Sequence, residues 1–225
     1  MSDMWARFWM RFAGRSRVGR VATRLATWTC PPYKGRRQLA HYNRYGYIAP
    51  TATLHHNNLR FGANVFVGDG VVIYQDRSGG PVELGNRVHL YNDVIVEIGP
   101  GGSLSIGADT HIQPRCQFTS YEAPIQIGAG VQIAPQCAFY SYDHSFDQGE
   151  LISRQPLRTK GPIIIDDDAW LGVGVIVLSG VRIGQGAVVG AGAVVTTDVP
   201  AGAIAVGQPA QVVSTRSSQR SMHQQ

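Results

Sequence analysis

From Ile165 onward the chain repeats every six residues. Ile165, Leu171, Val177, Ile183, Val189 and Val195 follow one another at that spacing without a break. A small or β-branched residue recurs four places after each of them, at Ala169, Val175, Val181, Ala187, Ala193 and Val199. A helix face recurs near 3.6 residues and a strand alternates every two, so neither period accounts for the pattern. A strict hexad is the mark of a repeat architecture. Its physical solution is a parallel β-helix, in which each hexad makes one short strand and one corner and three hexads close a coil. The opening aliphatic residue points inward, and small residues such as Gly172, Gly184 and Gly190 permit the tight corners. Stacked coils satisfy one another's backbone groups at strand spacing, about 4.8 Å per coil.

The same phase runs upstream through Ile127, Ile133 and Phe139, through Ile106, Ile112 and Phe118, through Leu84, Leu90 and Val96, and through Phe61, Val67 and Ile73. Ile48 and Leu54 form a ragged first coil. Turn-rich insertions at Gln75–Val82 and Gly99–Ser105 separate some coils. One interruption is much longer: the phase is lost after Phe139 and returns at Ile165, so residues 143–162 are expected to leave the stack as an extruded loop. Long loops in compact repeats are usually functional or disordered. The expected fold class is therefore all-β, a β-helix domain over 48–213, preceded by a helical segment over 1–47 and followed by a disordered polar tail over 214–225.

Charge is unevenly spread. Residues 1–40 carry nine Lys/Arg and one Asp, net +8, whereas the remainder carries eleven basic and fourteen acidic residues, net −3, giving the overall +5. In the N-terminal segment Trp5, Phe8, Trp9 and Phe12 have helical spacing, as do Val18, Val21, Ala22, Leu25 and Trp28, with Arg7, Arg11 and Arg15 on another face. Two readings stand. Such a segment can cap the open end of a β-helix, which otherwise exposes strand edges and core. It can also lie on an anionic membrane surface through residues 1–30. No nucleic-acid-binding motif accompanies the charge, so a nucleic-acid partner is not expected. No run reaches the eighteen apolar residues of a membrane span, and arginines interrupt anything like a signal peptide. Cys30, Cys116 and Cys137 make an odd count without metal-like spacing, which points to a reducing compartment. Cys116 and Cys137 fall at equivalent hexad positions and read as small buried hydrophobes. The expected location is cytoplasmic, or peripheral at the inner face of the cytoplasmic membrane.

Four motifs stand in order along the repeats: Tyr142-Asp143-His144-Ser145-Phe146-Asp147, Ala169-Trp170-Leu171-Gly172, the stretch from Gly190 through Thr197 to Pro200, and Val206-Gly207-Gln208-Pro209-Ala210. With the repeats and the long loop, over roughly residues 48–213, they resemble the hexapeptide-repeat acyltransferases, and among them the O-acetyltransferases of bacterial sugars and surface polysaccharides. The resemblance implies a left-handed parallel β-helix, an exception to the right-handed crossover rule. It also implies a homotrimer with sites between subunits and acetyl-CoA as donor, with no metal expected. The acceptor it implies is a sugar or lipid-linked saccharide.

The same resemblance assigns roles. His144 stands where the family places its general base, a task that histidine suits near neutral pH. Asp147 is the preferred acid to orient it, with Asp143 and Glu150 as other candidates. Gln113 occupies the register where many relatives carry an acceptor-holding Asn, so Gln113 and Asp143 are candidate substrate-binding residues; His111 and Arg115 are nearby. Backbone N–H groups of Gly172, Val173, Gly174, Gly190 and Ala191 are expected to hold the thioester carbonyl. Trp170 is expected to wall the cleft. Thr196 and Thr197 lie where relatives meet the nucleotide end of CoA. Relatives often have Lys at the position of Thr197, and Arg182, Arg216 or Arg220 are the charges available in its place.

The expected reaction is acetyl transfer to a sugar hydroxyl by direct attack. The alternatives are N-acetylation of a nucleotide-linked amino sugar and a β-helix scaffold without activity. A zinc carbonic anhydrase of the same fold needs two His ligands five residues apart, and no His pair here has that spacing.

Overall fold

The computed structural model describes residues 2–216. The hexads fold as the period requires, into a β-solenoid of the left-handed β-helix type with three flat faces. Sheet A has nine strands, sheet B seven and sheet C six. Neighbouring coils pair in parallel and in register: Ile112 sits between Leu90 and Ile133, Phe118 between Val96 and Phe139, and Ile127 between Ile106 and Ile165. Each hexad opener therefore lies in one continuous inward column. Ile165, Leu171, Val177, Ile183, Val189 and Val195 are all buried, as are their partners four residues on. Phe118 and Phe139 stack with parallel rings 4.6 Å apart. Cys116 and Cys137 are buried free thiols; each Sγ lies 3.2 Å from the Ala134 carbonyl oxygen.

Many corners carry a residue with positive φ. Glycine supplies it at Gly174 (φ 70°) and Gly192 (φ 70°), while Asp93, Asp109 and Gln136 supply it elsewhere. Asn and Asp tolerate this region better than other side chains. Three edges join the sheets: A–B, B–C and C–A.

The N-terminal segment is not one helix. It is a hairpin of α1 (Ser2–Met10) and α2 (Arg17–Thr27), followed by a 3-10 turn over Tyr33–His41. Ser16 caps α2 by accepting from the Gly19 N–H at 3.0 Å, which is why the helical spacing is broken there. Ala6, Met10, Ala26, Leu39 and Ala40 join the core of the first coils. Asn43 Nδ2 donates to the Met10 carbonyl at 2.7 Å and Asn64 Nδ2 to the Ala40 carbonyl at 2.9 Å. The segment thus covers the open end of the solenoid, satisfying groups that an uncovered end would leave bare.

At the other end, Ala203–Gly207 turns back antiparallel onto Ala210–Thr215. Chain order therefore continues past the expected start of the tail at Ser214: Arg216 Nη1 pairs with Asp168 at 3.1 Å. The rest of that tail, 217–225, lies outside the described residues, and Arg220 with it. Among the described residues no helix is long and apolar enough to cross a membrane.

Candidate active site

The long excursion leaves sheet B after Ala138–Tyr140 and returns at Ile163–Ile165 in sheet C. It is folded, not slack. Asp143–His144 pairs antiparallel with Leu157–Arg158. Gln155 ties the tip from within: its Oε1 accepts from the Asp147 N–H at 2.8 Å, and its Nε2 donates to the carbonyls of Asp147 and Glu150, both at 2.9 Å. The Arg158 guanidinium lies over the Phe146 ring at 4.0 Å.

His144 is exposed at the base of this excursion, where the coil beneath holds its neighbours. Asp143 Oδ2 accepts from the Ser179 hydroxyl at 3.2 Å, and Ser179 is buried in the next coil. The Tyr142 ring meets the His144 ring edge-on at 6.1 Å and the Tyr121 ring at 5.2 Å. Tyr121 in turn donates to Glu97 Oε1 at 2.9 Å. Burial, then the Glu97 bond, raises the Tyr121 pKa; burial, then the Glu97 charge, raises that of Tyr142. Both phenols are therefore protonated donors at neutral pH. Within the described residues the His144 imidazole has no hydrogen-bond partner. The Asp147 carboxylate is exposed and likewise unpaired, so the two are not bonded to each other in this chain.

The other candidates divide between two edges. On the B–C edge with His144 stand Asp143 and, in the last full coil, Thr196 and Thr197. On the A–B edge stand Gln113, Gly172, Val173, Gly174, Gly190 and Ala191, with Trp170 exposed on the sheet A strand beside them. A sheet B strand separates the two edges. The five residue steps from Gly174 to Ser179 correspond to about 16 Å of extended chain.

The structure also sorts the backbone donors. The N–H groups of Gly172, Gly174 and Gly190 already donate to Val189, Pro135 and Ala205 carbonyls at 2.8, 3.0 and 2.8 Å. Those three cannot serve a carbonyl outside the coil. The N–H groups of Val173 and Ala191 have no backbone acceptor among the described residues, and both residues are exposed. Gly172 is glycine for a steric reason: a Cβ there would lie 2.6 Å from the Ala191 backbone nitrogen.

Arg182 and Arg216 are not available as free cations on this surface. Arg182 makes two 2.9 Å bonds to the Asp166 carboxylate, and Arg216 is held by Asp168 and the Gly186 carbonyl. His111 is occupied too, stacked at 4.5 Å on buried His89 over sheet A. Glu97, Tyr121 and Ser179 were not legible as site residues in the sequence. Each comes from a different coil, and only the stacking phase links them to Tyr142 and Asp143 at the foot of the excursion.

Comparison with known proteins places the repeat. Residues 162–197 match the family described as bacterial transferase hexapeptide (six repeats). That stretch of the chain carries the repeat of the hexapeptide transferases. A 56-residue stretch is 54% identical to a 2,3,4,5-tetrahydropyridine-2,6-dicarboxylate N-acetyltransferase of Staphylococcus aureus (strain JH9). That match covers 25% of this chain and 23% of the relative, so the chain spans about a quarter of the length of the curated relatives it matches. Among solved structures, the polySia specific acetyltransferase NeuO superposes with a TM-score of 0.63 at 23% identity, over 76% of this chain and 75% of that one. A point mutant of AntD, an N-acyltransferase from Bacillus cereus in complex with dTDP and coenzyme A, superposes with a TM-score of 0.55 at 20% identity, over 74% of this chain and 83% of that one. At these identities the two structures establish a common fold.

Proposed function

We propose that the protein is an acyl-CoA-dependent transferase that acylates a sugar, with His144 as general base and the free amides of Val173 and Ala191 holding the thioester carbonyl. The observation that carries this reading is the placement of His144. It stands exposed on a folded excursion, anchored through Asp143 to the buried Ser179 of the next coil. The exposed amides of the A–B edge supply the complementary half. One chain holds the halves on different edges, so the reading requires a second copy to bring an A–B edge against a B–C edge. A homotrimer closes three such clefts by one repeated contact.

In that cleft the acceptor attacks the thioester carbonyl. Its proton passes to His144, charge develops on the carbonyl oxygen toward the amides, and the C–S bond breaks. CoA leaves as a thiolate and takes the proton back from His144. Asp147 is proposed to orient the imidazole, since its carboxylate is exposed and engaged by no other group among the described residues. Trp170 would line the acyl end, and Thr196 and Thr197 the nucleotide end. Gln113 and Asp143 would contact the acceptor.

The acceptor group is a hydroxyl or an amine, since one base serves both. The relatives weight the choice toward an amine on a nucleotide-linked sugar: the Staphylococcus aureus relatives are N-acetyltransferases, and AntD is an N-acyltransferase crystallised with dTDP. The polySia specific acetyltransferase NeuO keeps the polysaccharide in view.

The first test is calorimetric titration of acetyl-CoA into the protein and into His144→Ala. Binding to both at about one site per chain is expected. An acceptor screen would follow, comparing nucleotide-linked amino sugars with neutral oligosaccharides and following free thiol. No binding at millimolar acetyl-CoA to folded protein would overturn the reading in favour of a scaffold.

A further inference from the structure

The helical hairpin is apolar on the wrong side for a simple cap. Both helices turn large apolar residues outward: α2 buries the small residues Gly19, Ala22, Thr23 and Ala26 and exposes Val18 and Val21, and its C-cap Trp28 is 78% exposed. On the other arm Ala6 and Met10 are buried, while Met4, Trp5, Phe8 and Phe12 are between 42% and 73% exposed. An amphipathic helix that only covered a core would show the reverse pattern. The two exposed faces are continuous, because the Trp5 indole N–H donates across to the Leu25 carbonyl at 2.8 Å. Trp5, Phe8, Trp9 and Phe12 meet in edge-on contacts 5.3 to 5.8 Å apart. A contiguous aromatic patch of this kind on a protein surface marks an interaction site.

Charge identifies the occupant. Asp3 is the only acid before Asp69, and it is already held by Arg7 and Tyr42. Arg11, Arg17, Arg20 and Arg24 have no carboxylate partner among the described residues. A second copy of the same hairpin would bring these uncompensated arginines against their own kind. A bilayer of anionic lipid instead offers acyl chains to the aromatic rings and negative headgroups to the guanidinium groups. Helices of nine and eleven residues, about 14 and 17 Å long, are too short to cross a hydrocarbon core of about 30 Å.

We infer that the α1–α2 hairpin docks the protein on the surface of an anionic lipid bilayer, with its outward aromatic face sunk to the headgroup boundary. The solenoid would then stand on the membrane by its N-terminal end.

The test uses the full chain sedimented with vesicles of phosphatidylcholine alone or with about 30% phosphatidylglycerol. Strong binding to the anionic vesicles and weak binding to the neutral ones is expected. Arg11→Gln, Arg17→Gln and Arg24→Gln together should weaken the first about fivefold per charge removed, the fold-change equal to ~1 kcal/mol each. The combination Phe8→Ser, Phe12→Ser and Trp28→Ser should abolish it while circular dichroism and acetyl-CoA affinity stay unchanged, which separates this inference from the proposed activity. Three results would overturn the inference. These are absence of binding to anionic vesicles, undiminished binding by the serine variant, or a wild-type oligomer that the serine variant splits into smaller species.

Discussion

The A–B and B–C edges are built from the same coils, yet they turn differently. On the A–B edge every corner closes at once: Gly172 to Val175 and Gly190 to Ala193 each join two strands directly, and the backbone itself is what they display. On the B–C edge the early coils bulge at Asp76–Pro81 and Gly99–Ser103, and the fifth throws out the long excursion. That edge displays side chains: Glu97, Tyr121, Tyr142, His144. The tight corners at Gly172 and Gly190 need small residues to bring coils together, and there the chain offers amides. An insertion frees the chain from the stack and so can offer titratable groups. Under the proposed function, two copies must meet for one edge to complete the other.

The largest expected effect breaks the B–C edge alone. His144→Ala should lower kcat by about 10²- to 10⁴-fold, the range for loss of a general base. Acetyl-CoA affinity should hold, because His144 is not among the proposed donor contacts. A variant that lost affinity and kcat together would place His144 in donor binding.

Next in size is an acid limit set by sheet A, whose strands feed the A–B edge. His89 is 4% exposed, and its Nδ1 is buried without a partner. Burial first, then the charges of His111, Arg37 and His41, push its pKa down from 6.5 to about 4, against a weak opposing pull from Asp109. His111 is lowered in the same direction, chiefly by burial. Protonation therefore favours the unfolded chain. Stability is complete above pH 6.5 and is lost as pH falls from 6.5 through about 4, by up to about 3 kcal/mol for His89. Urea unfolding at pH 7.0 and 4.5 measures the slope, and His89→Gln should flatten it. An unchanged slope in that variant would assign the acid sensitivity elsewhere.

Gly172→Ala tests the A–B edge directly. The added Cβ would lie 2.6 Å from the Ala191 nitrogen and 3.1 Å from the Gly190 carbonyl carbon, so the coils must part. Overpacking of this kind costs about 1–3 kcal/mol. Thermal unfolding should show it, and acetyl-CoA binding should weaken in parallel, because the Ala191 amide moves with the corner. Weaker binding is the discriminating readout; a lower Tm alone would leave the A–B edge as structure only.

The same contrast decides what could be read from the sequence. The hexad openers fix the three inward columns because every one of them must be apolar, so the coil count and register from Phe61 to Val195 were legible. Gln113 and the Gly172 and Gly190 corners were placed by the same phase. What escaped the sequence was whatever breaks the phase. The hairpin break at Ser16 lies between the two helically spaced stripes, where Gly14 and Ser16 interrupt the period, but the spacing alone does not show that the chain turns back there. The engagement of Gly172, Gly174 and Gly190 amides was invisible, since a hexad shows which residue turns a corner and not which amide the next coil consumes. Arg182 and Arg216 looked free because their acids, Asp166 and Asp168, are near only after stacking or after the C-terminal strand turns back. The contacts of Tyr142 and Asp143, the residues before His144, were hidden for a like reason. Tyr121 lies 23 residues before His144 and Ser179 35 after it, and no local pattern joins them.

The smallest effect asks whether the excursion depends on the coil it left. Ser179→Ala removes the hydroxyl that donates to Asp143 and leaves the Lys160 N–H without the acceptor it has at 3.4 Å. The stability change should be about 1 kcal/mol, the usual net value of one such bond. If the bond holds the foot of the excursion in place, kcat should fall several-fold with KM for acetyl-CoA unchanged, and Ser179→Thr should restore most of it. A merely structural hydroxyl would lower Tm and leave kcat alone. In that case the hairpin of Asp143–His144 with Leu157–Arg158 and the Gln155 bonds suffice to place His144, and the chemistry of the B–C edge belongs to the insertion and not to the solenoid beneath it.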